Sequence, residues 1–210
     1  MNSLASFAVF GLLACFVAAV PTPAEIAPRC GTTYYPTILQ QMSEGSPNSV
    51  GANTASTNGD FHVAQTVVNG GAPSGRIYEL VGFQGIAPGS YGCQLALTFP
   101  ASYPITTSLG GVAGGVPQIN VTTVLRSNPG AIAYPNEFTF NSFPTELAPG
   151  QGLFGTVSAQ SGTTVVINSE TCDTKLAFVF SIAAWTGQSA NVEFSEQNSP
   201  LAGVYLTTNC

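Results

Sequence analysis

Residues 191–210 read NVEFSEQNSPLAGVYLTTNC, and their alternation decides the fold class. Successive side chains of an extended chain point to opposite faces. Val192, Phe194 and Glu196 therefore share one face of a first strand, and Val204, Leu206, Thr208 and Cys210 share one face of a second. Asn198, Ser199, Pro200 and Gly203 supply turn chemistry between them. The closing half-cystine is expected to pin this hairpin into the fold through a covalent bond.

The same period recurs upstream. Phe61, Val63, Gln65 and Val67 share one parity, residues 77–83 form a second run, and Cys93, Leu95, Leu97 and Phe99 alternate with Gln94, Ala96 and Thr98. Residues 118–125, 137–143, 153–159 and 163–169 continue the pattern, separated by turns such as Ala87-Pro88-Gly89 and Ala148-Pro149-Gly150. Residues 176–185 are apolar on both parities, as a central strand covered on both faces requires. A single short helix is expected over residues 35–42, with Pro36 near its start. About ten short strands without intervening helices predict an all-β fold, a two-sheet antiparallel β-sandwich. The Gly-rich patch 109–115 lacks a Lys and a following helix. It reads as a flexible loop and not as a phosphate cradle.

Residues 1–19 carry an uncharged apolar run and end on Val17-Ala18-Ala19, which suits signal peptidase; they are expected to be a secretory signal. Residues 20–29 hold three prolines and read as an extended leader, and 30–210 as one domain. No later run approaches about 18 apolar residues, so no membrane span is expected. Setting aside Cys15 in the signal, four cysteines remain, an even number that points to two disulfides in an oxidising compartment. Four cysteines permit three connectivities, which the sequence leaves open. The expected one joins Cys30 to Cys210 at the two ends and Cys93 to Cys172 across the middle.

Charged residues make up only 7% of the chain, and ten acids face Arg29, Arg76, Arg126 and Lys175 for a net charge of −6. Phosphate neutralisation needs clustered bases, so neither nucleic acid nor an anionic membrane is an expected partner. His62 is the sole histidine and no Gly-x-Ser-x-Gly elbow exists; the histidine reads as an ordinary strand residue, and no metal or organic cofactor is expected. Glycoside hydrolysis needs only two acids across a cleft. The candidates are Asp60, Glu79, Glu137, Glu146, Glu170, Asp173, Glu193 and Glu196, of which Glu193 and Glu196 face opposite sides of their strand. Asn120-Val121-Thr122 is a glycosylation sequon, with Asn120 on the outward parity of its strand. Tyr34 and Tyr35 are the candidate ligand platform, while Trp185 is expected in the core or at a sheet end.

Cys30-Gly31 followed by Tyr35-Pro36-Thr37, then Phe61-His62-Val63, Cys93-Gln94-Leu95-Ala96-Leu97-Thr98-Phe99, Asn120-Val121, Val192-Glu193-Phe194, Gly203-Val204-Tyr205-Leu206 and Cys210, resemble a fungal family. It is the But-two C-terminal domain family, named after a ubiquitin-three-binding protein, and the resemblance covers essentially the whole chain after the leader. It implies a secreted, cysteine-stapled protein of fungal surfaces, generally without assigned catalytic residues. Where the family tends to have Phe-Pro-Cys, this chain has Glu170-Thr171-Cys172. The ubiquitin label does not carry over as a function, because a secreted disulfide protein would not meet cytosolic ubiquitin. The expected role is a non-catalytic secreted or cell-wall-associated protein that binds glycan, wall polysaccharide or another surface protein through loops such as 30–60 and 109–117. The alternatives are a glycoside hydrolase and a secreted effector docking on a host protein.

Overall fold

A computed structural model describes residues 30–124, 133–143 and 153–210; the expected signal, the leader and Glu146 lie outside them. The described residues form fourteen strands: β1 (Thr32–Tyr34), β2 (Ile38–Ser43), β3 (Asp60–Thr66), β4 (Ser74–Gln84), β5 (Cys93–Thr98), β6 (Thr106–Leu109), β7 (Val112–Ala113), β8 (Ile119–Thr123), β9 (Leu153–Val157), β10 (Thr164–Glu170), β11 (Lys175–Ile182), β12 (Ala190–Ser195), β13 (Gln197–Asn198) and β14 (Leu201–Thr208). One sheet runs β1-β14-β5-β10, with β13 also on β14; the other runs β7-β6-β12-β3-β4-β11-β8-β9, with β2 also on β4. Every pairing is antiparallel. Among the described residues no helix is long and apolar enough to cross a membrane.

Alternation explains where the core sits. Phe61 and Val63 of β3, Val81 and Phe83 of β4, Phe178 and Phe180 of β11 and Val192 and Phe194 of β12 face Leu95 and Leu97 of β5 and Val204 and Leu206 of β14. Phe61 stacks on Phe194 with centroids 4.4 Å apart and meets Phe180 edge-on at 5.4 Å. Each such ring, fully withdrawn from water, contributes about 2–3 kcal/mol. β11 lies between β4 and β8 and is covered on both sides, as its doubly apolar run requires: Ala177 and Val179 face a second cluster with Ile38, Met42, Leu80, Val124 and Phe138.

That second cluster corrects two expectations. Residues 137–143 form no strand; they turn across the outer face of the larger sheet, burying Phe138 and setting Phe140 and Phe143 against Tyr78 at 5.1 and 5.3 Å. Residues 35–42 form no helix, since Ile38–Ser43 is β2, paired with β4. Ile38 and Met42 have helix-like spacing, but on a strand Gln40 lies between them on the same face. Its burial is tolerated because Nε2 donates to the Phe138 carbonyl at 2.7 Å.

A third correction concerns residues 109–115. Leu109 pairs with Val112, and Gly110 and Gly111 both take positive φ, 60° and 83°. The segment is thus a tight two-residue hairpin, whose twist suits flanking strands and whose backbone demands glycine.

Both expected disulfides are present, and strand register places them. β1 pairs Thr32 with Thr208, which brings Cys30 beside Cys210 with Cα atoms 4.4 Å apart. β10 pairs Glu170 with Cys93, so Cys172, two residues on, reaches Cys93 at a Cα separation of 5.1 Å.

Candidate ligand-binding surface

The sequence-designated residues are dispersed. Tyr34 packs against the core, and its hydroxyl accepts the Ala87 N–H at 3.2 Å; Tyr35, one residue on, is 38% exposed. Asn120 alternates with buried Ile119 and Val121 on β8, and its Oδ1 accepts from the Thr156 hydroxyl at 3.3 Å. His62 Nε2 lies 2.7 Å from Asn191 Oδ1 across the β3–β12 pair, so the imidazole is bonded to an amide and not to a nucleophile.

Of the eight acids, Asp60 and Glu196 fall within electrostatic reach of Glu79. Glu79 lies on the inner face of β4 with Val81 and Phe83 and is completely buried. Its Oε2 accepts the His62 backbone N–H at 3.2 Å, while Oε1 has no partner. Burial, and secondarily the charges of Glu196 and Asp60, push this carboxyl well above its ordinary range. Glu196 follows β12 on the inward parity, and its Oε1 accepts the Val204 N–H at 2.8 Å. The residue keeps some surface, but its carboxyl is turned inward, and burial pushes this carboxyl up as well. A depression of about 270 Å³ beside Glu196 is lined by Asn58, Gln197 and Asn198 among others. A glycosidase pair faces an open cleft from both sides. Here Glu79 is sealed and does not face the depression that Glu196 lines.

Trp185, expected in the core or at a sheet end, stands at a sheet end. It lies beyond the end of β11, on a single 3-10 turn (Ala184–Thr186), and is 63% exposed. The turn is closed by Thr186 N–H to Ala183 O at 3.2 Å and Gly187 N–H to Ala184 O at 3.1 Å, with Gly187 left-handed at φ 60°. The polar run Thr186-Gly187-Gln188-Ser189 is the local signal that the strand has ended before the tryptophan.

Three loops meet at this end, because Ala190 at the start of β12 pairs with both Leu109 of β6 and Gln65 of β3. Ser189 Oγ accepts the Val67 N–H at 2.9 Å and donates to the Val67 carbonyl at 3.2 Å. Buried Gln65 donates to the Gln188 carbonyl at 2.9 Å, and Gly110 N–H donates to the Ser189 carbonyl at 2.8 Å. Ala183 N–H to Gln118 O at 2.9 Å brings the residue before β8 alongside. Residues 67–73, 109–118 and 184–189 contain no charged side chain. Val68 at 64%, Val112 at 66% and Val116 at 37% exposure accompany the indole, with Asn69 and Gln188 as exposed amides. The three loops thus carry an exposed indole, exposed apolar side chains and exposed amides with no charge among them.

No protein-family model matches the chain, and neither does any curated protein.

Proposed function

We propose that this chain is a secreted, non-catalytic binding protein whose ligand is an uncharged wall polysaccharide, held at the Trp185 end of the larger sheet. The observation that carries the reading is the exposed indole on a turn fixed by backbone and side-chain hydrogen bonds. Pyranose rings present apolar C–H faces and peripheral hydroxyls, which suit an aromatic plane flanked by amides. A turn that is already ordered loses little conformational freedom on binding. Two disulfides support an oxidising, extracellular setting. The But-two resemblance points the same way and rests on the motifs alone; Asn120 is proposed as a glycan carrier on its sequon.

The test is incubation of the purified protein with insoluble chitin, β-glucan and cellulose, measuring protein depletion and soluble sugar together. Depletion without sugar release is expected, unchanged between low and high salt because the surface is uncharged. Trp185→Ala is expected to weaken binding by about thirty-fold, the equivalent of roughly 2 kcal/mol for a hot-spot tryptophan. Retained binding in that variant would sink the assignment of the surface. Sugar release that disappears in Glu196→Gln would replace the whole reading with a hydrolase working from the Glu196 depression.

A further inference from the structure

Glu79 and Glu196 take no part in that surface, yet each is an acid where an acid is costly. Burying a carboxylate without a cation is unfavourable by several kcal/mol, and the usual outcome is that the group keeps its proton. The described cations do not help. Arg76 lies on the opposite face of β4, bonded to Glu44 at 2.9 Å and set 5.0 Å over Phe140. Lys175 pairs with Gln84, five positions along β4 from Glu79.

The neighbours of Glu79 add negative charge or none. From β3 come Asp60 and the backbone N–H of His62, whose ring is bonded to Asn191. β11 places Phe180 opposite Glu79, and β2 places Gln41 there. From the end of β12 comes Glu196, near which Tyr103 donates its hydroxyl to the Ser195 carbonyl at 2.6 Å.

Glu196 also occupies a structural gap. Along one edge of β14, Leu201 and Ala202 pair with β13, and residues 206–208 pair with β1. Between them the Val204 N–H has no strand partner on that edge and bonds to the Glu196 carboxyl instead. The side chain therefore fastens the end of the larger sheet to the smaller one.

We propose that Glu79 and Glu196 form a proton-dependent latch, Glu79 bonding within the larger sheet and Glu196 reaching β14 of the smaller one, whose burial is tolerated while both carboxyls are protonated and becomes costly when they ionise. The chain is thereby suited to acidic surroundings and weakened at alkaline pH. The sign follows from proton linkage. A carboxyl whose folded value lies above its unfolded value contributes stability fully below the unfolded value, and that contribution is lost as pH rises through the folded one. Each such group lowers the folded-to-unfolded ratio by up to about tenfold per pH unit across that interval. Glu44 acts in the opposite sense and in another range. Bonding to Arg76 holds its carboxyl down at about 2, so its contribution is present above about 4.5 and is lost as pH falls toward 2.

Urea unfolding of the intact protein at fixed pH values from 5 to 8 is the test. The midpoint is expected to fall steadily with rising pH, while Glu79→Gln, which keeps an acceptor for the His62 N–H, flattens the slope and raises the midpoint at pH 8. Unfolding of the unmodified protein at pH 6 is expected to release protons, a readout that needs no variant. A midpoint constant from pH 5 to 8, a Glu79→Gln protein with the original slope, or proton uptake on unfolding at pH 6 would each overturn the latch.

Discussion

Gly203→Ala is expected to lower the thermal midpoint by roughly 10 °C, corresponding to about 3 kcal/mol for a domain of this size. Gly203 takes φ +107°, where a Cβ is strained wherever it points. A Cβ at this position would also overlap the Glu196 carboxyl, both oxygens and Cδ. The carboxyl can yield only by releasing the Val204 N–H, which leaves a buried edge donor without its acceptor. The two residues therefore act as one unit, and a double-mutant cycle separates steric overlap from backbone strain. Gly203→Ala combined with Glu196→Ala should cost at least 1 kcal/mol less than the sum of the single changes, because the alanine at 203 has already broken the contact that the second change removes. Strict additivity would assign the whole effect to the φ angle.

The second large effect concerns the disulfides, where loop length and burial favour different bonds. The Cys30–Cys210 bond closes a sequence separation of 180 and the Cys93–Cys172 bond one of 79. Chain entropy assigns each on the order of 4–5 kcal/mol and favours the longer loop by only about 0.7 kcal/mol. Cys93, however, is completely buried in the main cluster, with Cys172 packed against it, while Cys210 is exposed at the surface. Replacing Cys93 and Cys172 with alanine loses sulfur contacts in the core and adds a cavity cost of about 1–3 kcal/mol. The Cys93→Ala/Cys172→Ala protein is thus expected to be the less stable of the two double variants in urea, despite its shorter loop. The reverse order would show that loop closure dominates.

Local alternation made much of this fold legible. The parity of residues 119–123 and 93–99 and the doubly apolar run of β11 correspond to strands with the expected buried faces. The cysteine pairing was legible as an expectation because the ends and the middle each held two. Gln40 lies beyond what local alternation can show: its burial depends on the carbonyl of Phe138, ninety-eight positions away, so no local window distinguishes β2 from a helix. Phe138, Phe140 and Phe143 mislead in a similar way, since a segment that caps a sheet and a strand within one can share the same apolar content. Gly110-Gly111 was missed although the dipeptide carries a two-residue hairpin signal, because the surrounding glycines give the segment the composition of a flexible loop.

The candidate surface and the latch were the least legible features. Trp185 follows an apolar strand so closely that only the polar turn after it marks its exposure. Glu79 stands in a run that otherwise reads as core, and a single acid there looks like a solvated edge residue. Asp60 and Glu196, whose charges reach it, are brought together by the pairing of β3 with β12, which sets Asp60 opposite Ser195. The meeting of the three loops depends equally on one residue, Ala190, having two strand neighbours.

The covalent joining of positions 30 and 210 has a mechanical meaning. Tension applied to the backbone at Cys30 and Cys210 would run through the sulfur–sulfur bond across a Cα gap of 4.4 Å, bypassing the 179 residues between. Neither sheet would bear load until that bond was reduced. Used as a tether, the oxidised protein would behave as a rigid bead with no extensible length, and reduction would convert it into a spring.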